Sequence, residues 1–101
     1  MTPDKTGLYG ALMQYNVKDF AAFQTGFEAQ DAARTAAGII GYGVGQSVDK
    51  PTAAVVYLQS EDAAKLKEYL ATKETKAAMK EAGAIGQPKT TVVQEGPMKM
   101  Y

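Results

Sequence analysis

Tyrosine is the residue through which this chain could do chemistry. Three of its six tyrosines, Tyr15, Tyr42 and Tyr57, fall in apolar stretches, where a phenol needs a partner for its hydroxyl. Phe23, Phe27 and Met79 add large apolar surface at positions that regular elements would turn inward. These side chains suit a pocket for a flat, weakly polar molecule such as a phenol or quinol. The filling of a close-packed core is the plainer reading of the same side chains. Histidine and cysteine are both absent. That removes the commonest general base, the commonest metal and haem ligand, thiolate nucleophiles and disulfides. Tight soft-metal sites lose their ligands too, so no cofactor and no metal is expected.

The remaining polar residues give weaker signals. Gly41-Tyr42-Gly43-Val44-Gly45 looks like a phosphate-binding loop, but Gln46 stands where the third glycine of GxGxxG belongs and no helix follows. Its three glycines share one face of a strand and imply a smooth or closely packed surface. Arg34, the only arginine, could clamp a carboxylate. Its place one turn after Asp31 reads instead as an exposed helix-surface pair. Glu61, Asp62, Glu68, Glu74 and Glu81, mixed with Lys65, Lys67, Lys73, Lys76 and Lys80, read as a solvated helix face. No EF-hand spacing occurs, and no two carboxylates stand out as general acid and base.

Lysine plus arginine and aspartate plus glutamate both number 11, so the formal charge is zero. Such a balance offers no basic field to nucleic acid and little attraction to an anionic membrane. No apolar run approaches the ~20 residues of a membrane span. Met1 to Lys5 lacks a hydrophobic signal region. A cytoplasmic protein is expected, without nucleic-acid or membrane partners.

The elements that must position these residues follow from periodicity. Leu8 to Val17 reads as a strand. Asp19 caps a helix whose stripe is Phe20, Phe23 and Phe27, running to about Ala37 with Gly38 beyond it. Ile39 to Val48 and Ala53 to Gln59 read as a hairpin around Asp49-Lys50-Pro51-Thr52. Ser60 reads as the cap of the next helix, with Leu66, Tyr69 and Leu70 facing in. A break near Thr72 starts a second segment through Ala82, with Met79 facing in and Gly83 ending it. Ala84 to Pro88 is a connector and Lys89 to Glu95 the last strand. A chain of 101 residues fits one domain. An N-terminal extension over 1–7, the domain over 8–95 and a tail over 96–101 are expected. The order β-α-β-β-α-β is the split βαβ arrangement of a ferredoxin-like α+β fold: a four-stranded antiparallel sheet with helices on one face.

The first and third strands, central in this topology, are apolar on both parities. Val55 and Tyr57 alternate with Ala54, Val56 and Leu58. A wet second face would alternate with polar residues. A second copy of the chain is the simplest cover, so a homodimer packed sheet to sheet is expected.

These residues resemble a known group. Val17-Lys18-Asp19-Phe20 with Phe23 and Phe27, the turn Asp49-Lys50-Pro51, the opening Ser60-Glu61-Asp62 and the run Ala82 to Pro88 are similar to those of the dimeric α+β barrel superfamily. Antibiotic-biosynthesis-monooxygenase-like proteins are the members resembled, over residues 8–95. The resemblance implies two ferredoxin-like subunits packed sheet to sheet, with a pocket in each. Haem-degrading members use a histidine together with a tryptophan and an asparagine. This chain has no histidine and no tryptophan, so that activity does not carry over. Cofactor-independent monooxygenases of the group act on quinol-like or polyketide aromatics, and no position here matches one of their catalytic residues. The expected function is a homodimeric domain binding a small apolar or aromatic molecule between sheet and helices. Its rivals are a cofactor-independent monooxygenase acting on a quinol-like aromatic and a purely structural dimerisation module.

Overall fold

A computed structural model describes residues 7–97 and 100–101. Apart from Gly7, the expected N-terminal extension lies outside the described residues, as do Met98 and Lys99 of the tail. The elements are β1 (Tyr9–Val17), α1 (Phe20–Glu28), α2 (Asp31–Ala36), β2 (Ile39–Gln46), β3 (Ala53–Ser60), α3 (Ala63–Ala71), α4 (Lys73–Glu81) and β4 (Ala84–Gln94). The four strands form one antiparallel sheet in the order β2-β3-β1-β4. This is the expected α+β ferredoxin-like arrangement, with each expected helix divided in two.

Local chemistry explains most of the boundaries. The Asp19 carboxylate accepts from the Ala22 amide at 3.3 Å and so satisfies a free donor of the first turn. The long first helix breaks at Ala29 and Gln30. There the Gln30 side-chain amide donates to the carbonyls of Gly26 and of Ala78, which ties the break to α4. Thr72 leaves the helical region at ψ 145, and its hydroxyl accepts from the Thr75 amide to start α4. α2 and α4 end just before Gly38 and Gly83, both at positive φ.

Two boundaries differ from the sequence reading. Ser60 is not the cap of α3 but the last residue of β3, fully buried, with its Oγ donating to the Gly38 carbonyl at 3.0 Å. Asp62 is the cap, its carboxylate accepting from the amides of Ala64 and Lys65. A carboxylate two residues farther on outcompetes a hydroxyl already used inside the sheet. The connector over 84–88 is strand: Val17 pairs with Ala84 and Asn16 with Ile85, before the register shifts and Gln14 pairs with Lys89. Residues 86–88 therefore bulge opposite Tyr15. Gly86 takes φ 71 there, and Pro88 has no amide proton to lose from the ladder.

Register decides which face each residue serves. Ala11, Met13, Tyr15 and Val17 face the helices beside Ala54, Val56 and Leu58, and all are buried. Leu12, Val55, Tyr57 and Val93 lie on the opposite face with Gly41, Gly43 and Gly45. Leu12 and Val93 are each 39% exposed there. The second apolar face expected of the central strands is thus present, with no element of the described chain over it.

Candidate functional site

A cleft of about 930 Å³ opens between the inner face of β1 and β4 and the pair α3 and α4. Met13, Tyr15 and Val92 line it from the sheet, and Leu70, Thr75 and Met79 from the helices. The β4 bulge forms one lip through Ile85, Gly86, Gln87 and Pro88. Lys18, Lys67, Lys76 and Lys80 line it as well. The volume lies within the range typical of small-molecule sites, and the walls are mostly apolar.

Tyr15 supplies the one aromatic hydroxyl of this lining. The residue is 6% exposed, and its Oη donates to the Met13 sulfur at 3.6 Å. A thioether is a weak acceptor, so a guest oxygen would be a better partner. Burial, and secondarily the neighbouring Tyr69, push the Tyr15 phenol up to about 12 from 10.0. It is therefore a neutral donor at physiological pH. In the unfolded chain the phenol ionises near 10.0 while the folded one stays protonated to about 12. Its contribution to stability is complete below pH 10 and is lost as pH rises through that interval, up to about 2 kcal/mol. Denaturant titrations at pH 9 and at pH 11.5 should show a smaller alkaline loss for Tyr15→Phe than for the natural chain. Equal losses would contradict this role of burial.

The six tyrosine, phenylalanine and methionine side chains singled out from the sequence separate into three places. Tyr15 and Met79 line the cleft. Phe23 and Phe27 are fully buried behind it in an aromatic row: Tyr15 to Phe23 is 5.5 Å between centroids, Phe23 to Phe27 6.1 Å, and Phe27 to Tyr42 5.0 Å edge to face. Tyr42 ends that row half-exposed, beside a smaller recess of about 280 Å³. Tyr57 belongs to the other face of the sheet. Its ring lies over Gly10, where a Cβ would collide with it, and its hydroxyl donates to the Glu95 carboxylate. Gln59 donates to the same carboxylate. Burial first, then the hydrogen bond and charge of Glu95, push the Tyr57 phenol up to about 12. The pocket shared by all six is thus corrected to one holding two of them. The reason is that β3 is apolar on both parities, so its pattern does not reveal which way Tyr57 points.

Arg34 also departs from its expected place. Its ion pair with Asp31 exists at 3.4 Å, yet the side chain is only 2% exposed. The guanidinium carbon sits 4.0 Å from the Phe27 ring centroid and 4.7 Å from that of Tyr42. Its Nε and Nη1 have no hydrogen-bond partner among the described residues. The break between α1 and α2 carries Arg34 out of the exposed helix face that an unbroken helix would give it. The sequence reads Lys67, Lys76 and Lys80 as a solvated helix face and 84–88 as a connector, and neither pattern reveals a cleft. Gly86 and Pro88 marked the irregular backbone, and Lys76 and Lys80 stand one helical turn apart.

Among the described residues no helix is long and apolar enough to cross a membrane. No family model matches the chain, and no curated protein matches it. Solved structures do share the fold. A Bordetella bronchiseptica protein assigned to the antibiotic biosynthesis monooxygenases superposes with a TM-score of 0.74 at 14% identity, over 89% of this chain and 98% of its own. SnoaB, a cofactor-independent oxygenase from Streptomyces nogalater, gives 0.68 at 17% identity, over 90% and 95%. The ActVA-Orf6 monooxygenase of Streptomyces coelicolor, solved with the ligand nanaomycin D, gives 0.63 at 19% identity, over 92% and 91%. The chain therefore has the ferredoxin-like fold of the antibiotic-biosynthesis-monooxygenase-like proteins.

Proposed function

We propose that this chain is a homodimeric, cytoplasmic binding domain that holds a small apolar or aromatic molecule between its sheet and helices. The carrying observation is the cleft of about 930 Å³, mostly apolar, lined by Tyr15, whose buried neutral hydroxyl has only a thioether partner among the described residues. The dimer reading rests on the bare outer face with Leu12, Val55, Tyr57 and Val93. Titration with phenylnaphthylamine, a neutral aromatic dye that brightens in apolar surroundings, tests the binding. Saturable binding is expected, weakened on the order of ten-fold by Ala77→Trp. Ala77 lines the cleft from an exposed helix position, so the indole would narrow the site without entering the core. Binding that ignores this substitution would refute the cleft as the site.

A second reading is favoured by the oxygenases that share the fold. A cleft of this kind could shelter an electron-rich quinol that reacts with dioxygen itself and needs no metal or flavin. Dioxygen uptake with a naphthohydroquinone, accelerated by the protein and slowed by Ala77→Trp, would support it over simple binding.

A further inference from the structure

We propose, building on the small-molecule reading, that the cleft selects anions: its ligand is a flat apolar body bearing a carboxylate or a comparable acidic group. Acidic and basic residues are equal in number over the whole chain. The cleft breaks that balance, with four lysines among its lining residues and no aspartate or glutamate.

The sorting comes from helix geometry. Successive residues turn about 100° around a helix axis. In α4, Thr75 and Met79 point inward and are buried. Lys76 and Lys80 then fall on one flank and Glu74 and Glu81 on the other. The lysine flank is the one that lines the cleft; Ala78, on the acidic flank, is tied to Gln30 of the α1–α2 break. In α3, Lys67 flanks the inward Leu66 and Leu70 on the cleft side. Glu68 turns outward and is absent from the lining. Lys18, between β1 and α1, completes the set. The charged surface that reads as mixed in sequence is therefore separated by the fold into a cationic mouth and an acidic far side.

None of the four lysines makes an ion pair among the described residues, where the one pair found is Arg34 with Asp31. Their ammonium groups reach water while their stems cover apolar wall. Like charges gathered around a low-dielectric cleft focus a positive potential into it. An acid group at the mouth would relieve that repulsion while an aromatic body occupies the floor between Met13, Tyr15 and Met79. A neutral ligand would leave it unrelieved, and a cation would worsen it.

Two dyes with one ring frame separate charge from shape: anilinonaphthalene sulfonate and the neutral phenylnaphthylamine. At low salt the sulfonate is expected to bind on the order of ten-fold more tightly. Its advantage should shrink to about two-fold at half-molar salt, where screening is strong. The double variant Lys76→Gln with Lys80→Gln should lose most of the preference, its affinity for the sulfonate falling several-fold more than its affinity for the neutral dye. Lys50→Gln with Lys65→Gln changes the net charge equally at exposed positions outside the cleft, and should keep it. Equal affinity for the two dyes overturns anion selection and leaves the small-molecule reading standing. So does a preference that survives in the cleft variant or falls equally in the control. Failure of both dyes to bind overturns both.

Discussion

Phe27→Ala is expected to cost about 3–5 kcal/mol, a large share of the roughly 5–15 kcal/mol that a domain of this size holds. The ring is fully buried and joins Phe23 to Tyr42 in the aromatic row. It also provides the nearer of the two faces against which the Arg34 guanidinium is stacked. Removing it opens a cavity and strips a buried cation of the nearer of its two aromatic faces, so both penalties fall on one substitution. Nε and Nη1 of Arg34, already without hydrogen-bond partners among the described residues, then lose part of the electrostatic substitute. Arg34→Met isolates the second effect. An unbranched side chain can still lie between the two rings, and two unpaired donors disappear, so stability should stay within about 1 kcal/mol of the natural chain. Urea unfolding of both variants gives the measurement. A loss below about 1.5 kcal/mol for Phe27→Ala would show that the row repacks and that Arg34 does not depend on it.

A comparably large contrast is expected between two adjacent residues of β3. Val56 is fully buried against the helices, opposite Met13 on one side and Val44 on the other. Val56→Glu places a carboxylate where nothing can solvate it, at a cost of several kcal/mol, and should abolish cooperative unfolding at neutral pH. Val55 is half-buried on the other face, opposite Gln14 and Gly45. Val55→Glu should leave the fold intact, as read by circular dichroism. In sedimentation equilibrium the natural chain is expected near twice its 10.7 kDa, and Val55→Glu near the single mass. A natural chain that sediments as a monomer would remove the dimer. A Val56→Glu protein that unfolds cooperatively near the natural midpoint would mean the assigned faces are reversed.

The outline of the fold was legible because its signals are local. Asp19, Thr72, Gly38 and Gly83 each act within a turn of chain, and each marks an element end in the structure. What stayed hidden depends on partners distant in sequence. Ser60 and Asp62 both suit a helix cap, and only the Gly38 carbonyl, across the strand junction, commits Ser60 elsewhere. Tyr57 has apolar neighbours on both sides in sequence, so its face follows from pairing with Leu12 and Gly43 rather than from alternation. Tyr42 lies on the helix side only because β2 slips in register between Ile39 and Gly41. Arg34 is buried because the helix breaks at Gln30, whose side chain bonds to α4, a contact made 48 positions away. Of the six residues that read as a lining between sheet and helices, Tyr15 and Met79 lie along the candidate cleft. Its rim was not legible, because lysines sorted by helix rotation look evenly mixed along the chain.

The β4 bulge has an implication for how such a site would diversify. Among the described residues, 86–88 sit on an edge strand with β1 as their only strand neighbour, and they form a lip of the cleft. An insertion or deletion there displaces no strand on the far side and lies away from Phe23, Phe27 and Tyr42, the part of the aromatic row beyond Tyr15. Chain length at this single point can thus act as an aperture setting, adjustable in steps of one residue. Descendants of one scaffold could admit guests of different girth while inheriting the same core.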